Sequence, residues 1–346
     1  MNGLGEDQPS LSFAKMWPPS VPPKTIQATV GPQMPESFRR TGHSEHSINQ
    51  KRGKPLDCFI EGPTVVCGTL YVTDIPYGRI FAVDLGTDTW TLVIEYDGEP
   101  NGLAWHPQRQ RLLIADFKQG LLELDLETRS ISPLMTRFNG ERFKGVNDVI
   151  VSSKGDILFT DQGMTGLHDP TGRVFRLRTD GSWDILLQNC PSPNGLVLDK
   201  SESMLFVAMT RDNSVWHVPL YPDGRPQRTG RFASYYGIGG PDGMTSDSEG
   251  NIFVAHSTLG AVFVHRANGE PFAKIESPGG HGTTNLTWGG LDGNLLYITE
   301  SQKGAILVVN WHCPGILSGK LAPETSHERT VRQDDYGRAK GGLDMS

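Results

Sequence analysis

A short phrase recurs six times in this chain, and its spacing limits the fold more than any other feature. An oxygen-bearing residue, then a small or acidic one and usually an apolar one, appears as Glu61-Gly62-Pro63, Asn101-Gly102-Leu103, Asn147-Asp148-Val149, Asn194-Gly195-Leu196, Asp242-Gly243-Met244 and Asn285-Leu286-Thr287. The copies stand roughly 40 to 50 residues apart, a period that marks repeat architectures. A second apolar, β-branched run closes about 14 residues after each copy, at Asp74, Asp116, Asp161, Ala208, His256 and Thr299. A third follows in every unit, as in Gly78-Arg79-Ile80-Phe81-Ala82-Val83 and Gly172-Arg173-Val174-Phe175-Arg176-Leu177, with turn signals such as Lys154-Gly155 and Asp292-Gly293 between runs. One Asn-Gly or Asp-Gly alone marks a turn. Six in register, each heading at least three short strands, describe an all-β, six-bladed β-propeller rather than a sandwich or a pair of barrels.

The length of 346 residues allows two domains, yet one repeat array accounts for most of it. The 41 glycines suit a chain that turns often, and the net charge of −7 argues against nucleic acid and anionic membrane as partners. The N-terminus carries early acidic residues and no apolar stretch of signal-peptide or membrane-spanning length, which points to the cytoplasm. Cys58, Cys67, Cys190 and Cys313 lack metal or redox spacing and read as small buried residues in a reducing compartment, with a Cys58–Cys67 bridge left open. Residues 1 to 24 read as an extended arm, 25 to 320 as the propeller and 321 to 346 as a polar tail. A ring of blades must be closed, and the alternating stretch from 25 to 30 is the candidate closing strand.

The first strand of a blade lies innermost, so Glu61, Asn101, Asn147, Asn194, Asp242 and Asn285 should ring a central channel. The antiparallel second strand returns to the same face, bringing Asp74, Asp116, Asp161, His256 and Glu300 to the mouth. Carboxylates and amide carbonyls are hard oxygen donors, an inventory for a central metal site that suits Ca²⁺ first, then Mg²⁺ or Mn²⁺, and Zn²⁺ less naturally. Turn chemistry accounts for Asn at such positions but not for a Glu in the same register.

These residues also carry a resemblance. Glu61-Gly62-Pro63, Asn147-Asp148, Pro193-Asn194-Gly195 and Pro241-Asp242-Gly243 look like the four metal-site signatures of the gluconolactonase and senescence-marker-protein-30 family, over a span from about Ile26 to about Leu317. The resemblance implies one divalent cation, often Ca²⁺, held by Glu61, Asn194 and Asp242 with Asn147 close to metal and substrate, and hydrolysis of a small-molecule lactone. It implies that the cation polarises the lactone carbonyl while a carboxylate deprotonates the attacking water. Asp242 is the expected base, with Asp161 or His256 as alternatives. His281, between two glycines, reads as a loop residue. In animal members an Arg that holds the sugar stands two positions before the third-blade Asn; here that position is Gly145. With Phe117, Met164, Met209 and Leu259 near second-strand ends, the expected substrate is more apolar or bulkier than gluconolactone. A non-hydrolytic reaction such as cyclisation or condensation, or a pure binding module, would keep the same fold.

Overall fold

The computed structural model describes residues 23–316; most of the expected arm and the whole of the expected tail lie outside them. Six sheets of antiparallel strands are arranged as blades. The first is built from Ile60–Val66, Thr69–Asp74, Arg79–Asp84 and Thr89–Glu95 in simple up-and-down order. The innermost strands of the other five are Pro100–His106, Val146–Val151, Pro193–Leu198, Pro241–Ser246 and Thr283–Gly289. These six touch one another in a closed circle, the sixth meeting the first.

The fourth, outermost strands have no equivalent in the sequence reading because they bury little. Ser130–Met135, for instance, is exposed or half-buried throughout. Closure also differs from expectation. The stretch from 25 to 30 is not one strand: Lys24–Gln27 adds in parallel to the outside of the fifth blade, and the chain turns at buried Ala28. Thr29–Gln33 then pairs antiparallel with Ala305–Asn310 and completes the sixth blade. Blade-to-blade cores are apolar; between the fifth and sixth, Phe253 packs edge-on against Trp288 and Trp311 at 5.1 and 5.0 Å.

Every innermost strand carries an irregularity at the same level, immediately around the first landmark, where three residues span two on the partner. A β-bulge re-aims side chains, and six at one level turn one residue per blade toward the axis. Glycine one residue later lets neighbouring blades close in. A Cβ on Gly195 would stand 2.3 Å from the Asp242 carbonyl oxygen, and one on Gly243 would stand 2.1 Å from Asn285 Oδ1.

Residues 34 to 58 form a strap over the mouth of the first blade. Its α-helix, Glu45–Gln50, starts with a reciprocal cap: Ser44 Oγ accepts from the Ser47 amide and Ser47 Oγ from the Ser44 amide. Arg40 holds Glu95 at 2.9 Å, Gln50 donates to Glu99 at 2.8 Å, and the Phe38 carbonyl accepts from Arg79 at 2.7 Å. Arg79 in turn makes a sealed ion pair with Asp74, which also accepts from the Phe59 amide at 2.7 Å. Removing one partner of such a pair strands a buried charge. Arg79→Met is expected to cost about 3–5 kcal/mol in chemical denaturation, with part of the loss recovered in Asp74→Asn/Arg79→Met. A loss under 1 kcal/mol would show that the pair does not brace the strap.

Candidate functional site

The bulges bring Glu61, Asn147, Asn194 and Asp242 to one level, all four buried, with half-buried Asn101 beside them. In the sixth blade the residue at that level is Thr284, not Asn285. The ladder pairs Thr283 with Glu300 as it pairs Pro241 with His256, so Asn285 lies one step down the channel, level with Asp148. The two share a local hydrogen bond: Asp148 Oδ1 and Asn285 Oδ1 each accept from the following amide, at 2.9 and 2.8 Å. A sequence reading aligned on Asn could not see that the sixth repeat is offset by one.

Three carboxyl groups crowd this axis. Glu61 accepts from the Gly62 amide at 2.5 Å and from Asn285 and Thr284 side chains, yet burial still raises its pKa. Burial, then the charge of Glu61, pushes Asp148 up to about 8 and Asp242 well above the usual carboxylate range, with the Asn194 side chain opposing the shift at Asp242. Asn147 Nδ2 donates to Gln162 at 2.9 Å, and its Oδ1 is uncommitted among the described residues. Clustered buried acids with amide oxygens beside them are a fit for a hard divalent cation, which would relieve their mutual repulsion. Glu61, Asn194 and Asp242 would hold it, with Asn147 adjoining.

The mouth acids have other partners. Asp161 is sealed from solvent, held by Arg173 Nε at 3.0 Å and by the Gly145 amide at 3.0 Å. Asp116 accepts from Tyr96, Lys118 and Gln119, and Glu300 from the Gly282 and Lys303 amides. Each fastens the loop beside its own blade. His256 is buried edge-on to Tyr235 and Phe263, and burial drops its pKa to about 4, so the ring is a neutral imidazole. His281 is exposed, its loop fixed by bonds from Gly260 and to Gln302.

Of the apolar positions expected at the mouth, Met209 is sealed in the core between the third and fourth blades and offers no surface. Met164 is 62% exposed and Leu259 half-buried. Phe117 explains Gly145: a Cβ there would fall 2.4 Å from its ring, and the backbone stands at φ +153, so the aromatic face occupies the place of a side chain. Nor is the mouth wholly apolar. Lys51, at the C-terminal end of the strap helix, lies with Nζ 3.9 Å from the centre of the Phe59 ring. Burial lowers its pKa while the nearby charges of Asp242 and Glu61 oppose that, and Arg211 reinforces it. The repeat pattern gave no sign of Lys51; the only hint was a strap too long for an ordinary connection.

On the far side of the ring a cavity of about 730 Å³ runs down the channel, lined by Leu103, Leu196, Met244 and Leu286 and meeting the ring at Asp148 and Asn285. The four cysteines are unpaired, Cys58 and Cys190 buried as expected, Cys67 exposed in a hairpin turn. No described helix is long and apolar enough to cross a membrane.

Among curated proteins the chain is 30% identical over 220 residues to a gluconolactonase of Zymomonas mobilis, covering 59% of this chain and 61% of that one. It is 28% identical over 222 residues to the lactonase drp35 of Staphylococcus aureus, covering 61% and 67%. The chain thus spans about three fifths of the first of these relatives. Among solved structures, a calcium-binding regucalcin from Agrobacterium tumefaciens superposes with TM-score 0.66 at 22% identity, covering 87% of this chain and 98% of that one. A gluconolactonase from Xanthomonas campestris superposes with TM-score 0.64 at 23% identity, covering 84% and 97%. These share the fold. The model of the SMP-30/gluconolactonase/LRE-like region matches residues 59–302, and the chain belongs to that family.

Proposed function

We propose that this protein is a lactonase-like carboxylic ester hydrolase that opens a lactone ring with the help of one divalent cation, Ca²⁺ by preference. The observation that carries the reading is the crowding of Glu61, Asp148 and Asp242 on one buried axis, in a family whose relatives include a gluconolactonase and a lactonase. When bound, the cation supplies Lewis-acid polarisation of a carbonyl oxygen. Asp242 takes the proton from the attacking water, its carboxylate aimed at the axis by the bulge and steadied by Asn194. Asn147, fixed by Gln162, directs its amide at the substrate. Asp161 is tied to Arg173 and Gly145, so we assign it to holding the loop before Asn147 rather than to proton transfer. His256, walled by aromatic rings, shapes the fifth blade. No observation favours cyclisation, condensation or binding alone. The four unpaired thiols fit a cytoplasmic location.

Metal removal is the first test. Chelated and dialysed protein is expected to lose at least about 100-fold in lactone turnover, followed in a pH-stat, and to recover it with Ca²⁺. Burial and mutual repulsion raise the folded-state pKa of Glu61 and Asp242, so the metal-free fold binds more protons than the unfolded chain and loses stability as pH rises from the ordinary carboxylate range through those raised values. Added Ca²⁺ cancels that loss, so its thermal shift is expected to be larger at pH 8 than at pH 5. A shift independent of pH would place the ion away from these carboxyls.

Substitution separates the acids. Asp242→Asn is expected to lower kcat by about 10³-fold or more with the circular-dichroism spectrum unchanged. Asp161→Asn is expected to lower the melting temperature instead, with kcat of the folded fraction within about threefold of the wild type. The reverse pattern would make Asp161 the base.

A further inference from the structure

On the face opposite the mouth, the segment that follows the last strand, Ala305–Asn310, crosses from the sixth blade back to the fifth, and its path is firmly held. The Trp311 amide donates to the Asn294 carbonyl at 2.9 Å, and Trp311 Nε1 donates to Asp247 Oδ2 at 3.0 Å. Gly315 bridges to Asp247, with the Ser248 amide donating to the Pro314 carbonyl and the Ile316 amide to the Ser246 carbonyl, each at 2.8 Å. Gly315 also lies against the Trp288 indole, where a Cβ would fall 1.9 Å from the ring. The hairpin that receives the segment is braced by Asp247, which is sealed from solvent and accepts from the Glu249 and Asn251 amides at 3.0 and 2.9 Å.

Between these two fixed stretches, three side chains of different donor type meet. Glu249 comes from the hairpin, and His312 and Cys313 come from a bend in the crossing segment. One carboxylate oxygen, one imidazole nitrogen and one thiol sulfur lie within 4.8 Å of one another, and His312 Nε2 stands 3.2 Å from Glu249 Oε2. A tetrahedral Zn²⁺ with bonds of about 2.0–2.3 Å holds its donors roughly 3.5 Å apart. The Glu249 and His312 side chains are 54% and 49% exposed, so they have room to close that last step, and the open side of the group faces water. Cys313 is unpaired and half-buried beside them. The donors differ in kind from those of the ring: sulfur and imidazole suit a borderline-soft ion, whereas oxygens alone suit Ca²⁺.

We propose that Glu249, His312 and Cys313 form a zinc site separate from the ring, with water as the fourth ligand. On binding, the Cys313 thiol passes its proton to solvent, the thiolate and the His312 imidazole bond the ion, and Glu249 gives up its contact with His312 for a metal bond. The ion cross-links the fifth blade to the segment that leaves the sixth, at the base of the propeller. Because backbone hydrogen bonds already hold both stretches, coordination costs little chain entropy. Asp247 acts as a positioning residue, fixing the turn that carries Glu249 and the indole beside His312. The role is structural and does not depend on the lactonase reading.

Co²⁺ is the probe that tells this site from the ring, because it substitutes for Zn²⁺ and its sulfur charge-transfer absorption requires a thiolate ligand. Full-length protein, saturated with Ca²⁺ and kept under a non-thiol reductant, is expected to bind one equivalent of Co²⁺ with that absorption, and Zn²⁺ should displace it. Cys313→Ser should remove the absorption, while His312→Ala and Glu249→Gln should each weaken calorimetric Zn²⁺ binding by about tenfold or more. Zn²⁺ should raise the melting temperature of the Ca²⁺-saturated wild type by at least about 2 °C and leave that of Cys313→Ser unmoved. Glu249→Gln alters a half-exposed side chain and keeps the test independent of folding, and none of these readouts uses turnover. Absence of the thiolate absorption, or absorption that survives Cys313→Ser through another thiol such as exposed Cys67, overturns the proposal and leaves Glu249 and His312 a surface ion pair. Zn²⁺ affinity unchanged in Glu249→Gln and His312→Ala overturns it as well.

Discussion

Three carboxyl groups on one buried axis are the constraint around which the structure is arranged. Like charges in a low-dielectric interior repel strongly, and Glu61, Asp148 and Asp242 reach the axis only because six bulges at one level turn the chain inward and small residues let the blades approach. The blades' apolar interfaces and the strand that closes the ring provide the stability this crowding opposes. A divalent cation at that point would convert the repulsion into attraction, which is why we propose the ring as its binding site.

Around this centre the remaining acids divide by partner. Those on second-strand ends are sealed and saturated, Asp74 and Asp161 by arginine and Asp116 and Glu300 by backbone amides or tyrosine, so they hold loops. Those on the bulges have amide neighbours and no arginine, so they remain available to a ligand. The same residue type serves structure or chemistry according to which strand carries it. Above the ring, the strap adds a lysine that the repeated blades do not supply.

Much of this was legible in the sequence because repetition is a pattern that survives without coordinates. The six phrases marked the number of blades, and the Glu in a register of Asn marked a position that the structure buries at the ring. What was missed has physical causes. Outer strands bury little and leave a weak alternating signal, as Ser130–Met135 shows. The closing segment held two short strands around buried Ala28, which alternation alone could not divide. The sixth blade's offset placed Thr284 where Asn285 was expected, since an Asn one step away mimics the phrase. Met209 falls at a second-strand end but is sealed in a blade interface, a distinction only packing can make. Lys51 lies outside the repeat, and its approach to the axis depends on how the strap folds back.

The central claim is that one hard cation sits where these bulged strands converge. Anomalous diffraction from crystals grown with Mn²⁺ tests it most directly. The account predicts one strong peak on the channel axis within bonding distance of Glu61, Asn194 and Asp242, weakened when Ca²⁺ is in excess. A peak elsewhere, with these three side chains bonded only to one another or to Lys51, would contradict it.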